Sequence, residues 1–180
     1  MSNDGPNLFI PSIARSEGNA SQEVKEKLAT IWSQFVEGPA FANTVARRVE
    51  VTEMSITPKA EEPKKVEARV VLELDVTGDM INGHSSLHGG CGAYLVDFCS
   101  SIALTLHRGH HGRWTGHVSS TLHTVYHAPA PIGSRLKIIN TTVAVGARVM
   151  TARTEIYDKT NNRLVVSGYH VKMEPTPAKL

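Results

Sequence analysis

Asn82-Gly-His-Ser-Ser-Leu-His88-Gly89-Gly90-Cys-Gly-Ala-Tyr-Leu-Val-Asp97-Phe-Cys-Ser-Ser-Ile-Ala-Leu-Thr-Leu106 is the stretch that decides the fold of this 180-residue chain. Its second half is apolar almost all the way round: Tyr94, Leu95, Val96, Phe98, Ile102, Ala103, Leu104 and Leu106. A helix without a clear polar face belongs inside a protein or a membrane. A membrane span needs about 20 mostly apolar residues with few charges. Here Asp97 sits in the middle, and His88, Gly89, Gly90 and Gly92 crowd the head. The reading is therefore a buried central helix and not a span. Glycines at its start leave backbone N–H groups pointing forward, where they can hold an anion. Asp97 follows two turns later among apolar neighbours, where a carboxylate is costly unless it is paired or used.

The rest of the composition fits one soluble domain with a real core: 41% hydrophobic and 20% charged residues. Cys91 and Cys99 fall on the same helix, about 12 Å apart along its axis, too far for a disulfide. Nothing in the cysteines therefore points to an oxidising compartment. The net charge of +2 hides an asymmetry. Residues 1–107 hold 9 Lys/Arg against 14 Asp/Glu, and residues 108–180 hold 10 against 3. Solvated strand faces account for such a bias; a site for a phosphorylated ligand in the C-terminal half is the sharper reading. Nucleic acid is not an expected partner, because no dense basic run or aromatic-basic motif appears.

In chain order, residues 1–20 are polar and rich in Gly, Pro, Ser and Asn, which predicts a flexible segment. They carry neither a secretory apolar core nor an Arg-rich presequence. Ser21 can cap a helix over 21–37, with Val24, Leu28, Ile31, Trp32 and Phe35 on one face. Arg47 to Thr57 reads as a strand whose apolar phase slips between Val51 and Met54, which predicts a bulge. Val66 to Val76 alternates as a half-buried strand. After the central helix, His107-Arg-Gly-His-His-Gly-Arg113 reads as a polar loop. Four more strands follow, over Trp114–His127, Arg135–Val145, Arg148–Tyr157 and Arg163–Met173. They are rich in Val, Ile and Thr and joined by short links that favour antiparallel pairing. The expected organisation is one domain over 21–173 and a tail over 174–180. Its class is α+β: an antiparallel sheet of about six strands curled around the long central helix, with an extra amphipathic helix at the N-terminus.

The run Asn82…Leu87-His88-Gly89-Gly90…Asp97 resembles the active-site signature of the hotdog-fold acyl-CoA thioesterases. In particular it resembles the branch that includes the phenylacetyl-CoA-type enzymes and the small thioesterase superfamily members of eukaryotes. The resemblance continues through Val118-Ser119, Tyr126-His-Ala-Pro129-Ala130 and Gly168-Tyr-His170-Val-Lys172, and covers about residues 45–173. It implies a hotdog fold, dimers joined edge to edge and often doubled to tetramers, and hydrolysis of an acyl-CoA to free acid and CoA without a cofactor. The residues ask for the dimer independently. Gly89 and Asp97 are about 12 Å apart on one helix, too far to meet at one carbonyl. Two antiparallel central helices would bring Gly89 of one chain near Asp97 of the other.

Thioester hydrolysis needs oxyanion stabilisation and a nucleophile or activated water. The Gly89 N–H suits the first need, and Asp97 suits the second, either as nucleophile or as general base. The plain alternatives are a tight helix entry for Gly89 and a structural carboxylate for Asp97. His88 either orients the helix start or assists the carbonyl. By resemblance, Asn82 holds the thioester or the water, although a lone Asn there is more often a turn former. Ser119 matches a hydroxyl near the water and Asp97. His84, Ser85, Ser120 and Thr121 depart from the family pattern, which bears on acyl specificity. Exposed cations near the strand ends, Arg148, Lys172 and Arg113, are the expected contacts of the CoA phosphates. His107, His110, His111 and His117 lack acidic or Cys companions at zinc spacing, so no metal is expected.

Two other functions compete with hydrolysis: a hotdog acyl-CoA-binding sensor without turnover, and a hotdog hydratase or dehydratase. A DNA-acting sensor would want a helix-turn-helix, and only one N-terminal helix is visible. The hydratase histidine pattern differs from Leu87-His88-Gly89-Gly90. Finally, Ala178-Lys179-Leu180 resembles the small–basic–Leu tripeptide read by the peroxisomal import receptor. The expected address is the peroxisome, with the cytoplasm as the alternative.

Overall fold

The computed structural model describes residues 6–175. The tripeptide Ala178-Lys179-Leu180 lies outside the described residues. The elements are α1 (Phe9–Arg15), α2 (Gln22–Val36), α3 (Asn43–Arg48), β1 (Glu50–Pro58), β2 (Val66–Asp75), α4 (Gly89–His110), β3 (Val118–Tyr126), β4 (Arg135–Val145), β5 (Val149–Asp158) and β6 (Arg163–Met173). The strands form one antiparallel sheet in the order β1-β2-β4-β5-β6-β3. This is the expected hotdog arrangement: the sheet wraps α4, whose Leu95, Val96, Cys99, Ile102, Ala103 and Leu106 are fully buried. By length and composition α4 would pass for a membrane span, but most of it is inside the protein.

Ser21 caps α2 as its sequence predicts, accepting from the Val24 N–H. The bulge in β1 falls between Val51 and Glu53. Short links did not decide every pairing. β3 and β4 follow one another but are not neighbours, and β3 pairs with β6 at the sheet edge.

Three expectations need correction. The first concerns the N-terminal segment expected to be flexible. Residues 9–15 form α1, and Phe9 and Ile13 are fully buried. The Phe9 ring packs 6.2 Å from Trp32 and 5.3 Å from Phe98, centroid to centroid. Burying one such side chain contributes about 2 kcal/mol, enough to hold a short helix that propensity alone would not. Residues 17–20 then run along the outer edge of β1. Glu17 N–H donates to Thr52 O, Met54 N–H to Glu17 O and Ala20 N–H to Met54 O. The Asn19 side chain exchanges two hydrogen bonds with the Ile56 backbone.

The second correction concerns residues 107–113, expected as a polar loop. The helix continues to His110, with His107 and Arg108 buried. Tertiary partners offset their polarity: His107 Nε2 bonds to Val66 O at 3.1 Å, and Arg108 pairs with Glu174 and Thr115. The third is a helix, α3, where a strand was expected to begin at Arg47.

At the other sheet edge, β3 is poorly covered. Leu122 lies opposite His170 and Tyr126 opposite Val166 in the register, so both point to the α4 side of the sheet. Even so, Leu122 is 38% and Tyr126 53% exposed, although Tyr126 and Ser119 reach α4 at Gly89 and Asp97.

Candidate active site

His88 opens α4. Its Nδ1 accepts from the Gly90 N–H at 2.9 Å, so this ring serves as the helix N-cap. The Gly89 backbone beside it is half-buried, and Gly89 O accepts from the Tyr126 hydroxyl at 2.8 Å. A Cβ at Gly89 would meet that Tyr126 ring at 3.6 Å. Asn82 behaves as the turn former: its Oδ1 accepts from His84 N–H at 2.9 Å and from Ser86 N–H at 3.4 Å.

Asp97 sits two turns into α4 with its side chain 46% exposed. Three groups surround its Oδ1: the Ser119 hydroxyl at 3.5 Å, His170 Nε2 at 3.5 Å and Lys172 Nζ at 3.8 Å. Strand pairing explains the grouping. Ser119 lies opposite Lys172 in the β3–β6 register, and His170 is two residues earlier on the same face of β6. His170 is completely buried, with Nδ1 2.7 Å from Ser100 Oγ and Nε2 2.9 Å from Ser119 Oγ. Lys172 donates to Ser101 Oγ at 2.8 Å.

This corrects the role expected of Lys172. It is not an exposed contact for a CoA phosphate but a buried ammonium beneath Asp97. The other two cations stand apart. Arg148 is in the turn between β4 and β5, and its carbonyl accepts from Glu174 N–H. Arg113 lines a cleft of about 730 Å³ with Lys59, Lys64, Lys65 and Arg108 at the far end of α4. Within one chain, Asp97 and Ser119 therefore meet, whereas Gly89, His88 and Asn82 cluster at the helix start. His170 and Ser100 are the site neighbours that reading by sequence missed. The available signal was the two-residue spacing of His170 and Lys172 on a strand with one buried face.

Burial lowers the pKa of His170 to about 4, Lys172 lowers it further in the same sense, and Asp97 opposes them. Burial also lowers His117 to about 4, with Lys172 and Arg108 adding to the shift. Burial lowers Lys172 too, and Asp97 offsets part of that. His170 is thus neutral at neutral pH, and one of its ring nitrogens accepts while the other donates. The linkage has a definite sign. Unfolded histidines take up protons near pH 6.5, whereas the folded His170 and His117 do so only near pH 4. Acidification between those values therefore favours the unfolded chain. The expected result is a thermal midpoint that falls steadily as pH drops from about 6.5 to about 4, beginning at pH values where carboxylates are still ionised. A midpoint that stays level across this window contradicts the buried, neutral state of both rings.

Comparison with known proteins bears on this site directly. A family model described as thioesterase superfamily matches residues 84–165, which include Gly89, Asp97 and Ser119. Acyl-coenzyme A thioesterase 13 of Homo sapiens is 30% identical over 132 residues, 73% of this chain and 88% of that protein. The chain belongs to the hotdog-fold acyl-CoA thioesterases. The Mus musculus thioesterase 13 is 31% identical over 105 residues, 58% of this chain and 71% of that protein. Among solved structures, zebra fish thioesterase superfamily member 2 superposes with a TM-score of 0.65 at 27% identity, covering 81% of this chain and 94% of that one. The E. coli PaaI protein of the phenylacetic acid degradation operon shares the fold alone, with a TM-score of 0.66 at 18% identity. Relationship to these thioesterases supports acyl-CoA thioester hydrolysis. In this thioesterase, Asn82, His170, Lys172 and all of α1 and α2 lie outside the family match.

Proposed function

We propose that this thioesterase works as a homo-oligomer with composite sites: Gly89 N–H of one protomer binds the oxyanion, and Asp97 of its partner supplies the base or nucleophile. The observation that carries the reading is the half-exposed Asp97 carboxylate, ringed by Ser119, His170 and Lys172 at the uncovered β3 edge. In the base route, Asp97 takes a proton from water while the water oxygen forms its bond to the thioester carbon. Negative charge moves to the carbonyl oxygen, where the Gly89 N–H at the positive end of α4 stabilises it. Collapse breaks the C–S bond, and the departing thiolate takes up the proton. In the nucleophile route, Asp97 bonds the thioester carbon and the adduct expels the CoA thiolate, leaving an acyl–Asp97 anhydride; water then cleaves that anhydride to two carboxylates, and of the two protons it gives up one goes to the thiolate and one to solvent. A single turnover in heavy-oxygen water separates the two routes, because only the nucleophile route can leave the label in Asp97. The neutral His170 holds the Ser119 hydroxyl 2.9 Å away, which fits Ser119 for orienting the water. Asn82 and His88 support the loop and the helix start in this scheme.

The decisive assay is release of free thiol from a panel of acyl-CoAs. Release supports hydrolysis; saturable binding of the same panel without release supports a ligand sensor instead.

For the address we keep the import reading of Ala178-Lys179-Leu180. A fluorescent protein fused ahead of the full chain is expected to collect in peroxisomes, and the same fusion lacking these three residues to stay diffuse. Equal, diffuse patterns in import-competent cells overturn the reading.

A further inference from the structure

The last turn of α4, the turn between β1 and β2 and the end of β4 enclose the cleft of about 730 Å³ that holds Arg113. Five cations line it, Lys59, Lys64, Lys65, Arg108 and Arg113, against Glu62 in the lining and Glu174 beside Arg108. Local structure holds them there. Glu62 ties Lys59 and Lys65 into one turn, and Lys59 Nζ also donates to Val143 O at 2.7 Å. The Arg113 N–H closes back on Arg108 O at 2.9 Å, and Gly112 takes the left-handed conformation (φ 71°) that this closure needs. The same closure occupies carbonyls at the negative end of α4 that would otherwise oppose an anion. Like charges gathered in one cleft repel each other, yet Lys64 and Arg113 are in no close ion pair among the described residues.

The floor of the cleft is more telling than its rim. Arg108 is 4% exposed, and its Nη2 alone is bonded, to Glu174 and Thr115; Nε and Nη1 are buried without a partner among the described residues. His107, 9% exposed, uses Nε2 on Val66 O and leaves Nδ1 buried and unpaired. Burial lowers the pKa of this ring; the Val66 bond opposes that, and His111, His110 and Lys59 add to it. The ring is therefore neutral at neutral pH, and with Nε2 donating, Nδ1 is an acceptor. Buried polar groups are nearly always paired, so unused donors and an unused acceptor side by side call for a ligand that carries both complements.

We propose that this cleft binds a phosphorylated small molecule of nucleotide size, distinct from the acyl-CoA being cleaved: its phosphates meet Arg108, Lys64 and Arg113, and a sugar hydroxyl donates to His107 Nδ1. Size sets the class, because the cleft lies in the range of sites for whole small molecules and is far too large for one phosphate ion. Position separates it from the reaction. The cleft shares no lining residue with the cavity of about 310 Å³ beside Asp97. Trp114 lines that second cavity, and its ring packs so tightly on Gly109 that a Cβ there would come within 2.4 Å of it. Residues 59–65, which supply three of the cations, also lie outside the family match. The site stands whether or not Asp97 hydrolyses thioesters.

Titration calorimetry of the full chain with ATP, without magnesium and at about 0.1 M salt, tests the site without any turnover. Saturable binding is expected. Lys64→Glu and Arg113→Glu replace exposed side chains, so both variants should melt like wild type, and each is expected to weaken ATP by about tenfold or more. The 2′,3′-dideoxy form of ATP carries the same charge but lacks both ribose hydroxyls; it is expected to bind about tenfold less tightly than ATP. A last titration uses protein saturated with decyl-CoA thioether, which has no scissile carbonyl, and should return the same ATP affinity. No saturable heat with ATP, or affinity unmoved by both charge reversals, overturns the site. Equal affinity for ATP and its dideoxy form overturns the hydroxyl-bearing class of ligand. Displacement of ATP by the thioether overturns the separation from substrate, because the cleft would then be occupied by CoA.

Discussion

Asp97→Asn is expected to lower kcat for every acyl-CoA this thioesterase cleaves by between about a hundredfold and ten-thousandfold. The change is nearly isosteric, and the amide oxygen can still accept from Ser119. What disappears is the lone pair that takes a proton or forms a bond to carbon. The side chain is 46% exposed, so no buried cavity is created and the fold is expected to persist. One local consequence follows. Lys172 lies 3.8 Å from Asp97 and is already pushed towards its neutral form by burial; without the carboxylate it moves further that way. Stopped assays of thiol release, paired with a thermal melt, check the prediction. Wild-type turnover in the folded Asn variant would remove Asp97 from the mechanism.

The second large effect concerns mixing two inactive chains. Asp97→Asn and Gly89→Val, each almost inactive alone, should recover about a quarter of wild-type activity when unfolded and refolded together in equal amounts. Random pairing puts half of the chains into mixed dimers, and each mixed dimer has one site with an intact Gly89 and an intact partner Asp97. Recovery depends on the two residues working across an interface, because they are about 12 Å apart on one straight helix. At Gly89 an added Cβ meets the Tyr126 ring at 3.6 Å, an ordinary contact, and the thermal melt of the Val variant checks that its two further methyls are accommodated. Mixed dimers verified by mass that regain nothing would show that each chain carries its own complete site.

Much of the architecture was legible because it obeys simple periods. The alternation of Val66 to Val76 and the unbroken apolar girth of Tyr94 to Leu106 each allow one solution. What escaped depends on partners distant in the sequence. Phe9 and Ile13 look like isolated apolar residues in a polar stretch until Trp32 and Phe98 are placed beside them. His107 and Arg108 look like loop residues until Val66 O and Glu174 satisfy them. At the site, Asp97, Gly89 and Ser119 could be named from their motif, but their surroundings could not. Whether Lys172 meets solvent or Asp97 is decided by which face of β6 turns inward, and the mixed polarity of Ser167 to Lys172 hides that phase.

The strip formed by residues 17–20 along β1 has a consequence for how large an assembly can become. A sheet with two open edges can add neighbours without limit, as a fibre does. Here the outward-facing backbone groups of Thr52, Met54 and Ile56 already have partners in Glu17, Asn19 and Ala20. One border of the sheet is thus sealed from within the chain. In the proposed homo-oligomer, pairing would then be left to the β3 border, and two such borders joined about a twofold axis would consume each other and stop. On that reading the N-terminal strip acts as a terminator of growth: a chain trimmed back to Ser21 would expose a second adhesive border, with no partner for Thr52, Met54 and Ile56 but another chain.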